Sequence, residues 1–405
     1  MAMVQTRCRA MFRRQAPNQP SPHTACVIGA GISGASTARA LAELGWQVTV
    51  IDSGHFGASS LPVGLIAPHT SKDNGALSQL SRIGMERMHV AMRTYLSEGV
   101  DWAPTGVKTY PRTGPVTAAN TTWHADAAWL KPSALTRALL EHPAIEVVRD
   151  TVVDGLRFEN ETLSWQVFRS GVSLVQAEHV VLAAGPGCIH LLEGASVASV
   201  AAVASLAAEA SLGSEASLAS AANANQAIPT APFDAIRGQV TWALMAETPD
   251  APLPSTPING RGSFVPNVPT PEGDAWFLGS TYDRTHPHLG VTEEDHAFNL
   301  DRLAELYPET AEALAPVVSK NARGWVGVRC TLHDRLPLVG AVADAPTGLW
   351  INSAMGSRGL TLGLLCSEIL VAQMTAHPSP VDHHLVRAIS SQRFAEKAKA
   401  KMQRR

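Results

Sequence analysis

Six residues near the N-terminus, Gly29-Ala-Gly31-Ile-Ser-Gly34, have the glycine spacing of a dinucleotide-binding turn. Gly29 permits a tight turn, Gly31 lets a pyrophosphate approach the backbone, and Gly34 lets helix and strand pack closely. A helix that begins there offers amide donors and its positive dipole end to the anion. Asp52 follows Gly34 by 18 residues, near the spacing expected for the acid that binds the ribose hydroxyls. These residues predict a dinucleotide site; the alternative is a glycine-rich turn in another α/β fold.

The segments around this turn match the elements that it requires. Ala25–Gly29 is a short apolar run and predicts a buried parallel strand. Gly31–Leu44 has small and apolar residues at helical spacing, and Gly45 follows it as a C′ glycine would. Gln47–Ile51 predicts the second strand. The turn therefore lies in a predicted βαβ unit, as its proposed chemistry demands.

A single nucleotide fingerprint indicates FAD rather than NAD. A pyridine-nucleotide flavoprotein reductase needs two fingerprints, and the later cluster Gly185-Pro-Gly187 stops short of the pattern. With one nucleotide site, the electrons must come from the substrate. The tripeptide Gly57-Ala58-Ser59 directly follows the second strand and suits a loop along the pyrophosphate and the flavin. Taken alone, this tripeptide is equally typical of an ordinary turn.

A second small-residue turn lies near the C-terminus, directly before a helix predicted from about Leu360 to Met374. Its residues are Met355, Gly356, Ser357, Arg358, Gly359 and Leu360. The positive end of such a helix can stabilise negative charge at the N1/C2 edge of a reduced flavin. By itself the segment is better explained as an ordinary helix N-terminus with Ser357 as its cap.

Arg329 ends a predicted strand, Gly324–Arg329, whose other residues are small or apolar. A guanidinium in such a position needs an anionic partner, and its rigid fork suits a carboxylate bound by two parallel hydrogen bonds. The alternative is a structural ion pair, for example with Asp334. The sequence leaves both interpretations open.

Composition and missing motifs exclude several classes of function. The 405 residues carry a net charge of −3, which does not favour nucleic-acid binding over the whole surface. The five cysteines form no CxxC pair, so neither a disulfide scaffold nor a zinc site is predicted, and a reducing cytoplasm fits. The 15 histidines show no ligand spacing, and no metal is expected. No GxSxG, HExxH or GxxxxGK[ST] motif supports a hydrolase, zinc protease or P-loop enzyme.

Three segments are predicted to lie outside the folded core. Residues 1–24 and 381–405 are a basic N-terminal extension and a basic C-terminal tail, which are more often solvated ends than phosphate-binding arms. Residues 193–231 form a low-complexity Ala/Ser insertion. Glu209 and Glu215 interrupt that insertion, and no membrane span is predicted.

The order of predicted elements indicates an α/β fold, α+β overall. Strands and helices alternate at both ends of the chain, and the middle is rich in strands. We predict a Rossmann-type FAD-binding domain in three pieces, residues 25–100, 130–192 and 321–380. An antiparallel β-rich substrate domain, residues 101–129 and 232–320, interrupts it.

Together, these motifs resemble the D-amino-acid-oxidase/glycine-oxidase superfamily of flavoproteins. The first fingerprint, the Gly-Ala-Ser loop, the strand before Gly185, the Arg329 segment and the turn at Met355 occur in that family's order. The likeness covers about Ala25 to Phe394 without the insertion.

Within that superfamily the chain is most similar to the FAD-dependent half of the bifunctional tRNA wobble-uridine modification enzymes. The residues that carry this likeness are Ile236-Arg-Gly-Gln239, Gly327–Asp334, Gly356–Leu360 and the helix segment Leu365–Ile369.

The resemblance implies a substrate and a reaction. The substrate is carboxymethylaminomethyl-uridine in tRNA, a glycine attached through its nitrogen to a uridine methylene. Arg329 is expected to hold the glycine carboxylate, and Arg237 and Gln239 are expected to bind substrate. Hydride transfer from the glycine carbon to the flavin then gives an imine, which water splits into glyoxylate and aminomethyl-uridine. The protein orients the substrate, and the flavin performs the chemistry without a general base.

The resemblance also completes the set of residues expected to contact FAD. They are Gly29, Gly31, Gly34, Asp52, Gly57, Ala58, Ser59, Gly185, Gly356, Ser357, Arg358, Gly359 and Leu360. One departure lies beside this set, because Ser60–Gly64 reads Ser-Leu-Pro-Val-Gly where the family has Gly-Asn after the serine.

Two further expectations concern partners. In the bifunctional enzymes a methyltransferase precedes this region, and only 24 residues precede the first predicted strand here. Either a separate methyltransferase acts next or the pathway stops at the amine. Binding of tRNA to a chain of this net charge requires a local basic patch, for example Arg82, Arg87 and Arg93 with the basic ends.

Two other functions remain open. One is an FAD-dependent oxidase or dehydrogenase of a free amino acid such as glycine, sarcosine or a D-amino acid. The other is a non-catalytic subunit that binds flavin or tRNA. A lid over the flavin would favour the amino-acid oxidase, whereas a wide basic mouth would favour the tRNA enzyme.

Overall fold

The structure is a computed structural model that describes residues 22–54, 57–69, 71, 73–193, 195–198, 233–248, 251–284 and 289–397. Within them, one sheet is mainly parallel and a larger sheet is mainly antiparallel. This arrangement confirms the predicted fold class, a Rossmann-type unit combined with an antiparallel β-rich unit. Most of the predicted insertion (199–231), residues 1–21 of the basic extension and residues 398–405 lie outside the described residues.

The mainly parallel sheet, here called the nucleotide sheet, has six strands. Across the sheet they are β19 (Leu338–Ala341), β20 (Leu349–Ser353), β12 (His179–Leu182), β1 (Thr24–Ile28), β2 (Gln47–Ile51) and β8 (Ile145–Val148). All neighbours are parallel except β19, which runs antiparallel to β20. Because β1 lies between β12 and β2, the turn after β1 opens at the centre of the sheet's carboxyl edge, where dinucleotide sites form.

Six helices surround this sheet or extend from it. They are α1 (Ile32–Glu43), α2 (Ala76–Tyr95), α3 (Pro132–Leu140), α4 (Cys188–Glu193), α7 (Gly359–Met374) and α8 (His383–Ile389). The apolar faces of α1, α2, α3 and α7 share one core with β1 and β2. Gly45 has φ +85° directly after α1, as predicted for a C′ glycine.

The antiparallel sheet, here called the substrate sheet, has seven strands. Across the sheet they are β18 (Arg323–Leu332), β14 (Phe233–Leu244), β17 (Gly273–Gly279), β16 (Ser263–Thr270), β15 (Ile258–Asn259), β5 (Val107–Thr109) and β6 (Thr122–His124). Helices α5 (Glu293–Ala304) and α6 (Pro308–Asn321) contribute Leu303 and Leu314 to a core beneath it. β18 and β14 pair over ten residues, so side chains of the two strands are held in fixed register.

Two small sheets complete the described fold. One contains β11 (Val172–Ala177), β10 (Ser164–Arg169), β9 (Gly155–Glu159) and β13 (Ala195–Ala198). The other contains β3 (Gly64–Ile66), β7 (Ala128–Leu130) and β4 (Trp102–Ala103). β13 pairs with β9 in parallel, so the first residues of the predicted insertion are part of a sheet.

Some elements of the substrate region escaped prediction. β16 contains Pro266 and Pro269, and α6 begins at Pro308 and contains Pro316, so proline masked both patterns. Helix α5 begins at Glu293, six residues before its predicted start at Asn299, because Thr292 caps it by accepting a hydrogen bond from the Asp295 amide.

The C-terminal segment is more ordered than a solvated tail. Leu385 and Ile389 of α8 are buried, and Arg393 is only 5% exposed. The Arg393 guanidinium forms two hydrogen bonds with the carboxylate of Asp334, at 2.9 and 3.1 Å. The alternative in which Asp334 pairs with Arg329 is therefore wrong, because Arg393 already uses both carboxylate oxygens.

Candidate active site

A cavity of about 1090 Å³ lies between the nucleotide sheet and the substrate sheet. Three short 3-10 turns, Ala58–Ser60, Gly185–Gly187 and Gly356–Arg358, follow β2, β12 and β20 and contribute to its wall. The cavity exceeds the usual 300–1,000 Å³ of sites for drug-sized ligands. Its position and size suit a dinucleotide together with a substrate.

The glycine fingerprint has the close packing that its spacing predicts. Gly29 has φ +107°, a conformation that favours glycine, and its amide donates to the Ile51 carbonyl at 2.8 Å. A Cβ on Gly34 would overlap the carbonyl oxygen of Gly29, so this glycine lets α1 approach the turn. Gly31 lines the cavity, and a Cβ there would lie 3.1 Å from Ser59 Oγ. The backbone is therefore open to a ligand at Gly31.

The side chains of Asp52 and Ser59 accept hydrogen bonds from the backbone of the glycine fingerprint. The Ala30 and Gly54 amides donate to the Asp52 carboxylate at 2.6 and 2.8 Å. The Ile32 amide donates to Ser59 Oγ at 2.9 Å, which ties the Gly-Ala-Ser loop to the start of α1. An isolated bridge pairs Gly57 with Val328 of β18. The loop predicted to lie along the flavin thus connects the nucleotide turn to the strand that carries Arg329.

The turn at residues 355–360 begins α7 at the cavity wall. Neither the 3-10 turn nor α7 has a side-chain cap, so Ser357 does not cap the helix. Cβ atoms on Gly359 and Gly363 would lie 3.2 and 3.0 Å from Ile32 side-chain atoms, so α7 packs tightly on α1. Both helices therefore direct their positive ends to the same cavity.

Two residues that support this turn escaped prediction. A Cβ on Gly84 of α2 would overlap the Thr361 carbonyl oxygen, so this glycine sets the distance between α2 and the first turn of α7. Asn352 lines the cavity, and its amide donates to Thr37 and Ser367 hydroxyls, each at 3.0 Å. Among the described residues, Asn352 Oδ1 has no hydrogen-bond partner. No local sequence pattern marks either residue.

Arg329 of β18 lies at the opposite part of the cavity. Its guanidinium donates to the Ser280 hydroxyl and, at 3.2 Å, to the Thr281 carbonyl. Its Cζ lies 4.4 Å from the ring centroid of Tyr282, which is 53% exposed. No carboxylate of the described chain pairs with Arg329, and burial lowers the pKa of its guanidinium. A half-buried cation with only neutral partners is suited to an anionic ligand.

The segment Ile236–Gln239 of β14 contributes to this site through its glycine. Gly238 lies beside Arg329, and a Cβ there would lie 2.8 Å from Arg329 Cζ. Alternate residues of a strand point to opposite faces, and Arg237 and Gln239 accordingly lie outside the described cavity lining. The glycine that makes room for Arg329 was not predicted as a site residue.

Arg237 and Gln239 belong instead to a buried polar network behind the strand. Arg237 pairs with Asp295 and donates to the Gly290 carbonyl at 2.6 Å. The Gln239 side chain exchanges hydrogen bonds with the Thr292 backbone, both at 2.8 Å. This network fastens β14 to the start of α5. The structure therefore does not bring the two predicted substrate contacts to the cavity.

The charge of the cavity lining is strongly asymmetric. The charged residues of the described lining are Asp52, Arg112, Arg261, Arg302, Arg329 and Arg358. Arg261 and Arg302 each pair with Glu305, at 2.6 and 2.8 Å. Asp52 lies at the fingerprint end. The remaining lining, away from Asp52, is therefore positive.

The other ionisable groups of the described lining include two histidines and the Cys330 thiol. Burial, together with Arg358 and Arg112, lowers the pKa of His69, and burial lowers that of His124. Burial raises the pKa of the Cys330 thiol to about 12, so it stays protonated and unreactive. Within the described ranges no cluster of three potential ligands could hold a metal ion. The lining is suited to binding and orienting an anionic substrate.

The residues present fit FAD. Two helix N-termini without side-chain caps meet at the cavity, Gly31 leaves the backbone open, and Asp52 lies 18 residues beyond Gly34 at the end of β2. Oδ1 of Asn352, buried and without a partner in the described part of the chain, provides an acceptor on the wall. The fold and site define a flavoprotein of the amino-acid-oxidase type.

Comparison with known proteins gives the family. The family model for FAD dependent oxidoreductase (DAO) matches residues 24–120 and 189–373. The chain belongs to this family, so the chain is an FAD-dependent oxidoreductase and the expected cofactor is confirmed. Three relatives of the chain are tRNA 5-methylaminomethyl-2-thiouridine biosynthesis bifunctional proteins MnmC. They come from Albidiferax ferrireducens, Paracidovorax citrulli and Verminephrobacter eiseniae and are 39, 36 and 33% identical to it. The resemblance inferred from the motifs is therefore confirmed as well.

These relatives are longer than the chain. The alignments cover 91, 92 and 97% of this chain but 58, 61 and 67% of the three relatives. The chain thus spans about three fifths of the length of the first two relatives, corresponding to their FAD-dependent part.

Solved structures support the fold. Glycine oxidase from Geobacillus kaustophilus matches with TM-score 0.64 at 17% identity, covering 91% of this chain and 98% of that one. Iminodiacetate oxidase from Chelativorans sp. BNC1 matches with TM-score 0.63 at 17% identity, covering 90 and 98%. In the described part of the chain, every helix is too short or too polar to cross a membrane.

Proposed function

We propose that the chain removes the carboxymethyl group of carboxymethylaminomethyl-uridine at the tRNA wobble position by FAD-dependent oxidation of the C–N bond. The products are aminomethyl-uridine and glyoxylate. The names of the MnmC relatives support this function, because the methylaminomethyl group they specify is the proposed product plus one methyl group.

The observation that carries the proposal is Arg329. Its guanidinium lines the cavity beside the nucleotide site and pairs with no carboxylate of the described chain. The carboxymethyl group of the substrate supplies the missing carboxylate. Two parallel hydrogen bonds to it would fix the adjacent carbon, whose position determines whether oxidation occurs.

Neighbouring residues determine the position of this guanidinium. Ser280 and Thr281 accept hydrogen bonds from it, and the Tyr282 ring covers it. Gly238 leaves the space that it occupies. Arg237 and Gln239 act indirectly by fastening β14 to α5, which we propose in place of direct substrate contact.

The residues of the nucleotide end would hold FAD. Gly29, Gly31 and Gly34 shape the pyrophosphate turn, and Asp52 accepts hydrogen bonds from the ribose. The flavin would be contacted by Gly57, Ala58, Ser59 and Gly185 and by the backbone of residues 356–360. When bound, FAD would supply a two-electron acceptor for the hydride of the carbon next to nitrogen. The nitrogen would lose its proton as the C=N bond forms, and water would split the imine into glyoxylate and the primary amine.

The chemistry implies a partner activity and a compartment. Methylation of the primary amine converts the proposed product into the group named in the relatives. A methyltransferase, in the same or a separate polypeptide, would therefore act next. We place both steps in the cytoplasm, which suits the four buried and unpaired cysteines of the described chain.

Anaerobic mixing of the purified protein with tRNA that carries carboxymethylaminomethyl-uridine tests the proposal. We expect the flavin absorbance to bleach, and aminomethyl-uridine and glyoxylate to appear in mass spectra. A protein that ignores this tRNA but is bleached by glycine or sarcosine is a free amino-acid oxidase. Flavin that no amine reduces would indicate a non-catalytic subunit.

A further inference from the structure

The side chains of two arginines line the cavity and are assigned neither to FAD nor to the carboxylate. Arg112 is exposed and lies after β5 of the substrate sheet, and the half-buried Arg358 lies in the turn before α7. Both line the cavity, and neither side chain forms a hydrogen bond or ion pair with another residue of the described chain. The lining provides no free carboxylate for them, because its acid, Asp52, lies at the fingerprint end.

Both guanidinium groups line the same cavity as Arg329, and their charges interact. Burial and the positive charges of Arg112 and Arg335 lower the pKa of Arg358, whereas Tyr282 raises it. Tyr282 also covers Arg329, so its ring lies at the cavity beside Arg329 and within electrostatic range of Arg358. Like charges repel unless an anion lies between them. The arrangement is suited to an anion other than the carboxylate at Arg329.

The basic patch expected from sequence is a different one. Arg87 of α2 pairs with Glu368 at 2.9 Å, and Arg82 donates to Asn74. Neither residue lines the cavity. Exposed aromatic rings at the cavity, Tyr282 and Phe298, add flat faces of the kind on which bases of single-stranded RNA stack.

We propose that Arg112 and Arg358 form a second anion subsite, with Arg335 beside it, which binds a phosphodiester group of the RNA strand next to the modified nucleotide. The inference rests on the proposed function, since RNA is the ligand. Arg329 then binds the carboxylate, and the second subsite fixes the strand, so that substrate is held at two points. This subsite distinguishes a nucleotide within RNA from a free amino acid or nucleoside.

The test uses Arg112→Ala and Arg335→Ala of the flavin-loaded protein, because both residues are exposed and neither is expected to contact FAD. Arg169→Ala, an exposed arginine of β10 outside the cavity, is the matched control. Binding of an unmodified anticodon stem-loop RNA is measured by fluorescence anisotropy at several salt concentrations. We expect Arg112→Ala and Arg335→Ala each to bind roughly ten-fold more weakly and with a salt slope smaller by about 0.7. Equal binding by the wild type and the variants would overturn the subsite.

Kinetics with two substrates separate this subsite from the proposed function. For modified stem-loop RNA we expect KM to rise in the Arg112 variant, whereas oxidation of the free modified nucleoside, which has no phosphate, stays unchanged. Equal losses on both substrates would assign Arg112 to the carboxylate or the flavin and overturn the proposal. A wild-type protein that binds the stem-loop through Arg112 but never reduces its flavin with either substrate would retain the subsite and refute the proposed function.

Inorganic phosphate distinguishes the two sources of the anion. Competition by phosphate only at concentrations far above those of the RNA supports a phosphodiester within a strand. Displacement of RNA by phosphate at equal concentration would show a site for free phosphate and overturn the proposal.

Discussion

The two ends of the cavity are built by different means. At the nucleotide end the ligand-facing groups are backbone amides, glycines and helix termini, with Asp52 as the charged side chain. At the substrate end they are guanidinium groups from separate strands and turns, Arg329, Arg112 and Arg358. The first end binds by backbone shape and the second by side-chain charge.

The difference has a physical reason. A pyrophosphate is part of every FAD molecule, so a fixed backbone geometry serves all members of such a fold. A substrate varies, and side chains on a rigid sheet can change without altering the backbone. Substitutions at the nucleotide end should therefore abolish cofactor binding. Substitutions at the substrate end should change KM and kcat with the flavin still bound.

Substitution of Gly31 should have the largest effect. The Cβ of Gly31→Val would lie 3.1 Å from Ser59 Oγ, and its two methyl groups would occupy the space beside the pyrophosphate turn. We expect protein that folds but purifies without flavin, as measured by the absorbance near 450 nm and by far-ultraviolet circular dichroism. Gly290→Val should stay yellow, because no atom of the described residues lies within 4 Å of a Cβ at this glycine. A yellow Gly31→Val protein would contradict the pyrophosphate assignment.

The same difference explains what could be predicted from the sequence. Gly29–Gly34 and Asp52 form a contiguous pattern whose geometry is local, so the fingerprint, βαβ unit and FAD were all predictable. The lone guanidinium of Arg329 in an apolar strand indicated an anionic partner, and the family resemblance gave it the substrate carboxylate. Its neighbours Ser280 and Gly238 come from other strands of the sheet, and that register is a tertiary property.

For the segment Ile236–Gln239, the sequence did not show which residues face the cavity. Its motif was recognised, but the resemblance gave Arg237 and Gln239 the substrate role. The alternation of a strand places them on the face opposite Gly238, and the Asp295 partner of Arg237 lies 58 residues away in the chain. Alternation along the predicted strand separates Gly238 from Arg237 and Gln239, but only the pairing of β14 with β18 shows which face lies on the Arg329 side.

Removal of the Arg329 guanidinium should have the next largest effect. In Arg329→Ala we expect flavin content to be unchanged and kcat/KM to fall by an amount equivalent to roughly 2–4 kcal/mol of lost charge-assisted binding. Arg329→Lys should recover only part of the loss, because an ammonium retains the charge without the fork. Anaerobic flavin reduction by the modified tRNA measures both variants. An unchanged rate in Arg329→Ala would refute the carboxylate assignment.

The smallest expected effect concerns Gly238 and tests whether position, rather than charge alone, matters at the substrate end. The Cβ of Gly238→Ala would lie 2.8 Å from Arg329 Cζ, but the guanidinium is the free end of a flexible side chain and can move away. The fold and the flavin should therefore survive with little change in the free energy of unfolding. We expect kcat/KM to fall roughly ten-fold, because displacement by about 1 Å weakens the alignment of the substrate.

Gly155→Ala is the matched control, since this strand glycine would place its Cβ 3.5 Å from Phe168, at ordinary contact distance and outside the cavity. Steady-state kinetics and thermal unfolding of the two variants should differ in kcat/KM and agree in Tm. If Gly238→Ala retained full activity, the guanidinium would have to reach the carboxylate from another position, and the substrate end would tolerate displacement. If Gly238→Ala lost its flavin instead, β14 would support the nucleotide end as well. The two ends of the cavity would then not be independent at this strand.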